Sequence, residues 1–219
     1  MTILALEFSS DRRSVAVVRP DHRAVRGEDQ GGRSTRAFRL IDQVLREAEV
    51  KREDVNTIVV GLGPGSYTGI RVAISIGQGW HLARGAKLIG LSTADCLAEQ
   101  ARASGVRGPL HIAIDAQRGE FYHTSYALAD AGRQPVVSLR LATRDEIIRQ
   151  VGGESMWCDP GLVQEFPGAQ AAYPDAAILG RLAVEGMKSA AGADGELQPI
   201  YLREVSFVKA APPRPVVLD

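Results

Sequence analysis

Four glycines and a proline crowd the segment Gly61-Leu62-Gly63-Pro64-Gly65-Ser66-Tyr67-Thr68-Gly69-Ile70-Arg71. A glycine-rich turn that runs into a helix brings backbone amides close to whatever faces it, and that is often a phosphate. The familiar codes fail here. A Walker A loop carries Lys and then Ser or Thr after its last glycine, yet no lysine occurs between Lys51 and Lys87. Dinucleotide spacing needs a third glycine where Ser66 or Thr68 stands, and Pro64 holds the place two before Ser66 that a nucleophile elbow gives to glycine. Two readings of Gly63, Gly65, Ser66 and Thr68 stay open: a turn beside a ligand, or a tight turn that lets helix and strand pack closely.

Glu7 and Asp115 each end a short apolar run just before a polar turn. Paired carboxylates across a cleft could hold a magnesium nucleotide. The simpler reading, which we favour, is that each acid caps its own hairpin by accepting backbone N–H bonds. His22, His81, His111 and His123 include no HxxxH or HExxH pair, so no helix-borne metal site is expected. His81 and His123 read as surface or packing residues. Cys96 and Cys158 lack CxxC spacing and fit buried thiols in a reducing compartment. We therefore expect no catalytic set, no metal and no cofactor.

Several elements must position these residues. Ile3 to Phe8 reads as a strand, Ser9 to Arg13 as a turn and Val15 to Val18 as a returning strand. Ser34 to Ala48 has apolar residues at helical spacing, with Ser34 as N-cap. Thr57 to Val60 is a strand entering the glycine turn, followed by a helix from Thr68 to Ala83, a strand at Lys87 to Gly90 and a helix from Ser92 or Thr93 to Ala103. The second half opens as the first did. Leu110 to Ile114 is a strand, Asp115 follows, Gln117-Arg118-Gly119 turns and Glu120 to Ala127 returns. Thr143 to Gln150, Pro160 to Phe166 and Asp175 to Met187 read as short helices, and Pro199 to Asp219 as a tail. The pattern is α/β with two lobes of similar build, divided as 1–104 and 105–219.

Two helices look broader than one sheet needs. From Leu40 round to Phe38 the apolar arc of the first spans about 160° at 100° per residue. In the second, Gly69, Ala73 and Gly77 recur every fourth residue, and Arg71, Ser75 and Gln78 make a narrow polar stripe. Small side chains let a second helix approach closely. A partner surface is expected on Phe38, Leu40, Val44, Gly69, Ile70, Ala73, Ile74 and Gly77, used for a homodimer when the chain is alone.

Composition limits the partners. Lys plus Arg and Asp plus Glu both number 26 in 219 residues, so no overall field draws the chain to nucleic acid or membrane. The opening residues lack a basic n-region and a long apolar run, and a cytoplasmic protein with no membrane contact is expected.

Four segments, in order, resemble one family. GLGPGSYTGIRVAISIGQGWHLA from Gly61 to Ala83 resembles the TsaB (YeaZ) signature. LALEFSS from Leu4, IDAQRGEFY from Ile114 and PIYLR from Pro199 resemble that family's opening strand, its Asp-Ala-Arg-x-Gly-Glu-Val-Tyr segment and its closing motif. The family commonly has Asp-Thr at Glu7-Phe8, His-Ser-Glu at Arg33-Ser34-Thr35 and Arg at Gln117. The resemblance implies an actin-like fold of the sugar-kinase, Hsp70 and actin type, with two lobes built on mixed sheets. It also implies a non-catalytic role beside TsaD, the relative that transfers threonylcarbamoyl to an adenosine of tRNA, with TsaE in the larger assembly and tRNA met only through the complex. The competing readings are a phosphotransferase acting alone and a metallopeptidase. The late glycines that a phosphotransferase would use, Gly152-Gly153 and those from Gly192 to Gly195, are not clearly set between strand and helix, and the ligands of a metallopeptidase are missing.

Overall fold

The computed structural model describes residues 1–30, 36–188 and 197–202. Among these residues ten strands form two five-stranded sheets. In the first, β1 (Ile3–Glu7), β2 (Arg13–Val18), β3 (Ala24–Asp29), β4 (Thr57–Gly61) and β5 (Lys87–Leu91) lie in the order β3-β2-β1-β4-β5. β1, β2 and β3 are antiparallel, whereas β4 and β5 continue parallel to β1. The second sheet, β6 (Gly108–Asp115), β7 (Phe121–Ala129), β8 (Gly132–Ala142), β9 (Ser155–Cys158) and β10 (Gln170–Ala171), has the order β10-β9-β6-β7-β8. With β6 counted as its first strand, this is the same topology with the same pairing directions. The repeated strand, acid, turn and strand thus belong to a duplicated lobe, and the fold is the actin-like α/β architecture.

Helices cover the sheets. α1 (Ala37–Glu47) and α2 (Tyr67–Arg84) close one face of the first sheet, where Leu6, Val60, Val44, Ile70 and Ile74 form one core. α3 (Thr93–Ala103) follows β5 but sends Leu97, Ala98 and Ala101 onto the second sheet. α5 (Ala176–Lys188) follows β10 but packs Ala176, Leu179 and Ala183 against Ile3, Ala5 and Ala16 of the first. α4 (Arg144–Val151) covers the remaining face through Ile147. Helix packing crosses the expected division at residue 104 in both directions. α3 joins the second sheet and α5 returns to the first, because each buries its apolar stripe across the boundary. Leu197 also lies in the first lobe's core, and the amide of Ile200 donates to the Leu62 carbonyl at 2.8 Å.

The central strands β1, β2 and β4 are buried along their whole length, as expected where both faces are covered. β3 and β8 are edge strands, half-buried or exposed along nearly their whole length, and β8 carries Pro135. Neither was expected from the sequence, nor were β9 and β10. Pro160 to Phe166 contributes only a 3-10 turn at Pro160–Leu162. Arg36 stands at the N-cap of α1 without a side-chain cap, and Ser34 lies outside the described residues.

Candidate functional site

The glycine turn is packed against the β1–β2 turn. Pro64 follows a cis bond, and the Ser66 amide donates to the Ser9 carbonyl at 2.6 Å. Ser66 caps α2, its Oγ accepting from the Gly69 amide at 3.3 Å. A Cβ at Gly65, where φ is +147°, would overlap the Ser9 carbonyl oxygen, and one at Gly69 would overlap that of Phe8. These glycines serve close packing of helix on strand. The reading of Gly63, Gly65 and Ser66 as a tight turn accounts for the geometry. Thr68 is exposed beside it.

Both acids cap their turns. Glu7 is buried; its Oε1 accepts the Ser9 amide at 2.8 Å and its Oε2 the Thr93 hydroxyl at 3.2 Å. Burial raises its pKa above the ordinary value, the bonds from Ser9 and Thr93 oppose the shift, and Asp175 adds to it. In the second lobe, Asp115 Oδ1 accepts the Gln117 amide at 2.7 Å, while the Asp115 amide donates to Asp159 at 3.0 Å. Burial pushes Asp159 up to about 6, with Asp115 and Asp11 adding repulsion. The histidines are placed by sheet register. His111 Nδ1 lies 3.1 Å from His123 Nε2, and His111 Nε2 is 2.9 Å from Glu154. His123, expected at the surface or in packing, is fully buried and held down to about 4 by burial, then by His111 and Arg140. Among the described residues no group of three or more His, Cys, Asp or Glu is placed to hold a metal ion.

Most of the residues expected at a partner surface are covered by the chain itself. Leu40, Val44, Ile70, Ala73 and Ile74 are buried in the first lobe's core. Gly69 abuts Phe8, and a Cβ at Gly77 would sit 3.3 to 3.4 Å from side chains of Val60, Ile58 and Leu88. The row of small residues thus faces the chain's own sheet. Small side chains shorten a helix-to-sheet distance as readily as a helix-to-helix one, and periodicity cannot tell which neighbour uses them. Of the eight, only Phe38 is exposed, at 62%. It lines a groove of about 950 Å³ between α1 and α2, with Tyr67, Val72 and Trp80. Tyr67 is 55% exposed, and the Trp80 indole N–H has no acceptor among the described residues. The aromatic residues flanking the glycine row were the signal for this face.

Comparison with known proteins follows the same features. A family model described as TsaD, tRNA N6-adenosine threonylcarbamoyltransferase, matches residues 33–154. The chain is 27% identical to the tRNA threonylcarbamoyladenosine biosynthesis protein TsaB of Haemophilus influenzae, over 95% of this chain and 97% of that one. Escherichia coli TsaB is 32% identical over 54% of this chain and 53% of its own. The solved structure of YeaZ from Pseudomonas aeruginosa superposes with a TM-score of 0.79 at 27% identity, covering 92% of this chain and 99% of that one. The chain belongs to the TsaB (YeaZ) family. Its TsaB-like motifs meet in space. Tyr201 of the closing motif stacks on Tyr67 of the glycine segment with ring centroids 5.1 Å apart, and burial, then Tyr67, pushes its hydroxyl up to about 12. The Ile114 to Tyr122 segment forms the β6–β7 hairpin that Asp115 caps.

Proposed function

We propose that the chain is the non-catalytic partner subunit in tRNA threonylcarbamoyladenosine biosynthesis, docking on a TsaD relative through the α1–α2 face. The observation that carries this is the groove with exposed Phe38 and Tyr67 on the two helices that close the first sheet. Aromatic anchors of this kind dominate binding energy at protein interfaces. The match of a TsaD model to more than half of the chain supports a partner of the same fold, with corresponding helices to offer. A four-helix contact follows, and when the partner is absent the same face serves a homodimer that excludes the heterodimer.

The chemistry is assigned to the partner because this chain's candidate groups are engaged in holding its fold. Glu7 and Asp115 cap turns, Ser66 caps α2, and His111 and His123 bond each other beneath the second sheet. TsaE and tRNA join through the complex. No helix among the described residues is long and apolar enough to cross a membrane. The test is co-purification with the TsaD relative from the same source, sized by light scattering. A one-to-one complex is expected; two separate peaks at micromolar concentration would overturn the proposal.

A further inference from the structure

The rim of the α1–α2 groove carries charge of one sign. Arg36, Arg39, Arg52, Arg71 and Arg84 line it, and no carboxylate is among its described lining residues. Arg52 is engaged by Asp42 at 2.5 Å. Arg71 lies over the Tyr67 ring, 5.1 Å from its centroid, and donates to the Tyr67 hydroxyl, and it has no carboxylate partner among the described residues. Arg36, Arg39 and Arg84 are exposed, and none takes part in an ion pair among the described residues. A chain with equal numbers of acidic and basic residues has thus gathered cations around a groove that exposes Phe38 and Tyr67.

We propose that this ring of guanidinium groups selects a partner whose matching helices are edged with carboxylates over a second copy of this chain. The inference rests on the pairing with a TsaD relative argued above. In a twofold contact the same patch is used twice, so each arginine rim would face its own copy. Like charges then oppose the homodimer that the apolar groove favours. Against Asp and Glu at the partner's rim, the same arginines attract, steer the encounter and fix the register. Salt screens both effects over about 10 Å at 0.1 M, so the two assemblies respond to it in opposite directions.

Dissociation constants for self-association and for the complex with the same-source TsaD relative, measured by sedimentation at about 50 and about 500 mM KCl, test this directly. Added salt should tighten the homodimer and loosen the complex, each by about tenfold. The double variant R39E/R84E should do the same at low salt, and this difference should shrink at high salt. Both residues are exposed, and the wild-type salt response stands even should the variant misfold. If the complex forms but both constants move in the same direction, or neither moves, the charge inference fails and the pairing survives. If no complex forms at either salt, both fail. Fluorescein-labelled tRNA that binds the chain alone and is released by R39E/R84E would assign the rim to RNA and overturn the inference.

Discussion

Three glycines on one helix should answer the same substitution in different ways. Gly69, Gly77 and Gly79 all lie within α2, where exchanging Gly for Ala stabilises an unhindered helix by up to about 1 kcal/mol. At Gly79 nothing lies within 4 Å of the added Cβ, so Gly79→Ala should gain nearly that whole amount. For a chain of this size, 1 kcal/mol raises the thermal midpoint by about 2 to 4 °C. At Gly77 the methyl group meets Val60, Ile58 and Leu88 at 3.3 to 3.4 Å, so Gly77→Ala should come out near zero. At Gly69 it overlaps the Phe8 carbonyl and lies 3.3 Å from Ser66 Oγ. The helix must then move off β1, and overpacking of this kind costs about 1 to 3 kcal/mol, more than the propensity gain. The midpoint of Gly69→Ala should fall by several degrees. Circular-dichroism melts at one protein concentration decide the order, since self-association makes the midpoint depend on concentration. A Gly69→Ala midpoint at or above wild type would refute the close approach of α2 to β1.

Other perturbations separate folding from pairing. A folded-state pKa raised above the unfolded value means that Glu7 contributes stability fully below its ordinary value of 4.5, and loses it as pH rises through the folded value. Glu7→Gln keeps a neutral side chain, with its Oε1 still accepting the Ser9 amide and its Nε2 donating to the Thr93 hydroxyl oxygen, so its melts should exceed wild type at pH 7 and converge near pH 4; equal midpoints at pH 7 would refute the burial argument. Phe38→Ala should leave the midpoint within about 0.5 kcal/mol of wild type while weakening the complex by about thirtyfold or more, read by titration calorimetry. Unchanged affinity would move the interface off the α1–α2 groove.

Much of the architecture was legible because the central strands are covered on both faces and so read as unbroken apolar runs. β3 and β8 escaped because these edge strands carry runs of Arg, Gly, Glu, Asp, Gln and Pro, which resemble loop composition. The crossing of α3 and α5 between sheets depends on where an apolar stripe finds its surface, and that is a tertiary fact. Within the candidate site, the capping of Glu7 and Asp115 was local, two residues on in each case, and so was readable. His111 and His123 meet through β6–β7 register, in which Ala113 pairs with His123 and His111 with Ser125. Such a pair has no fixed spacing to search for. The Gly69, Ala73 and Gly77 row reads as a close-packing surface in the sequence, and the neighbour it packs on here is the chain's own sheet.

The central claim, that this chain supports the reaction without performing it, is tested most directly by reconstitution. Purified chain, the same-source TsaD and TsaE, and tRNA are combined with threonylcarbamoyl adenylate, and label transferred to tRNA is counted with each protein omitted in turn. Transfer should require TsaD, rise on adding this chain, and be absent with this chain alone. Transfer by this chain alone, or ATP turnover on the order of 1 per second that is lost in Asp115→Ala, would contradict it.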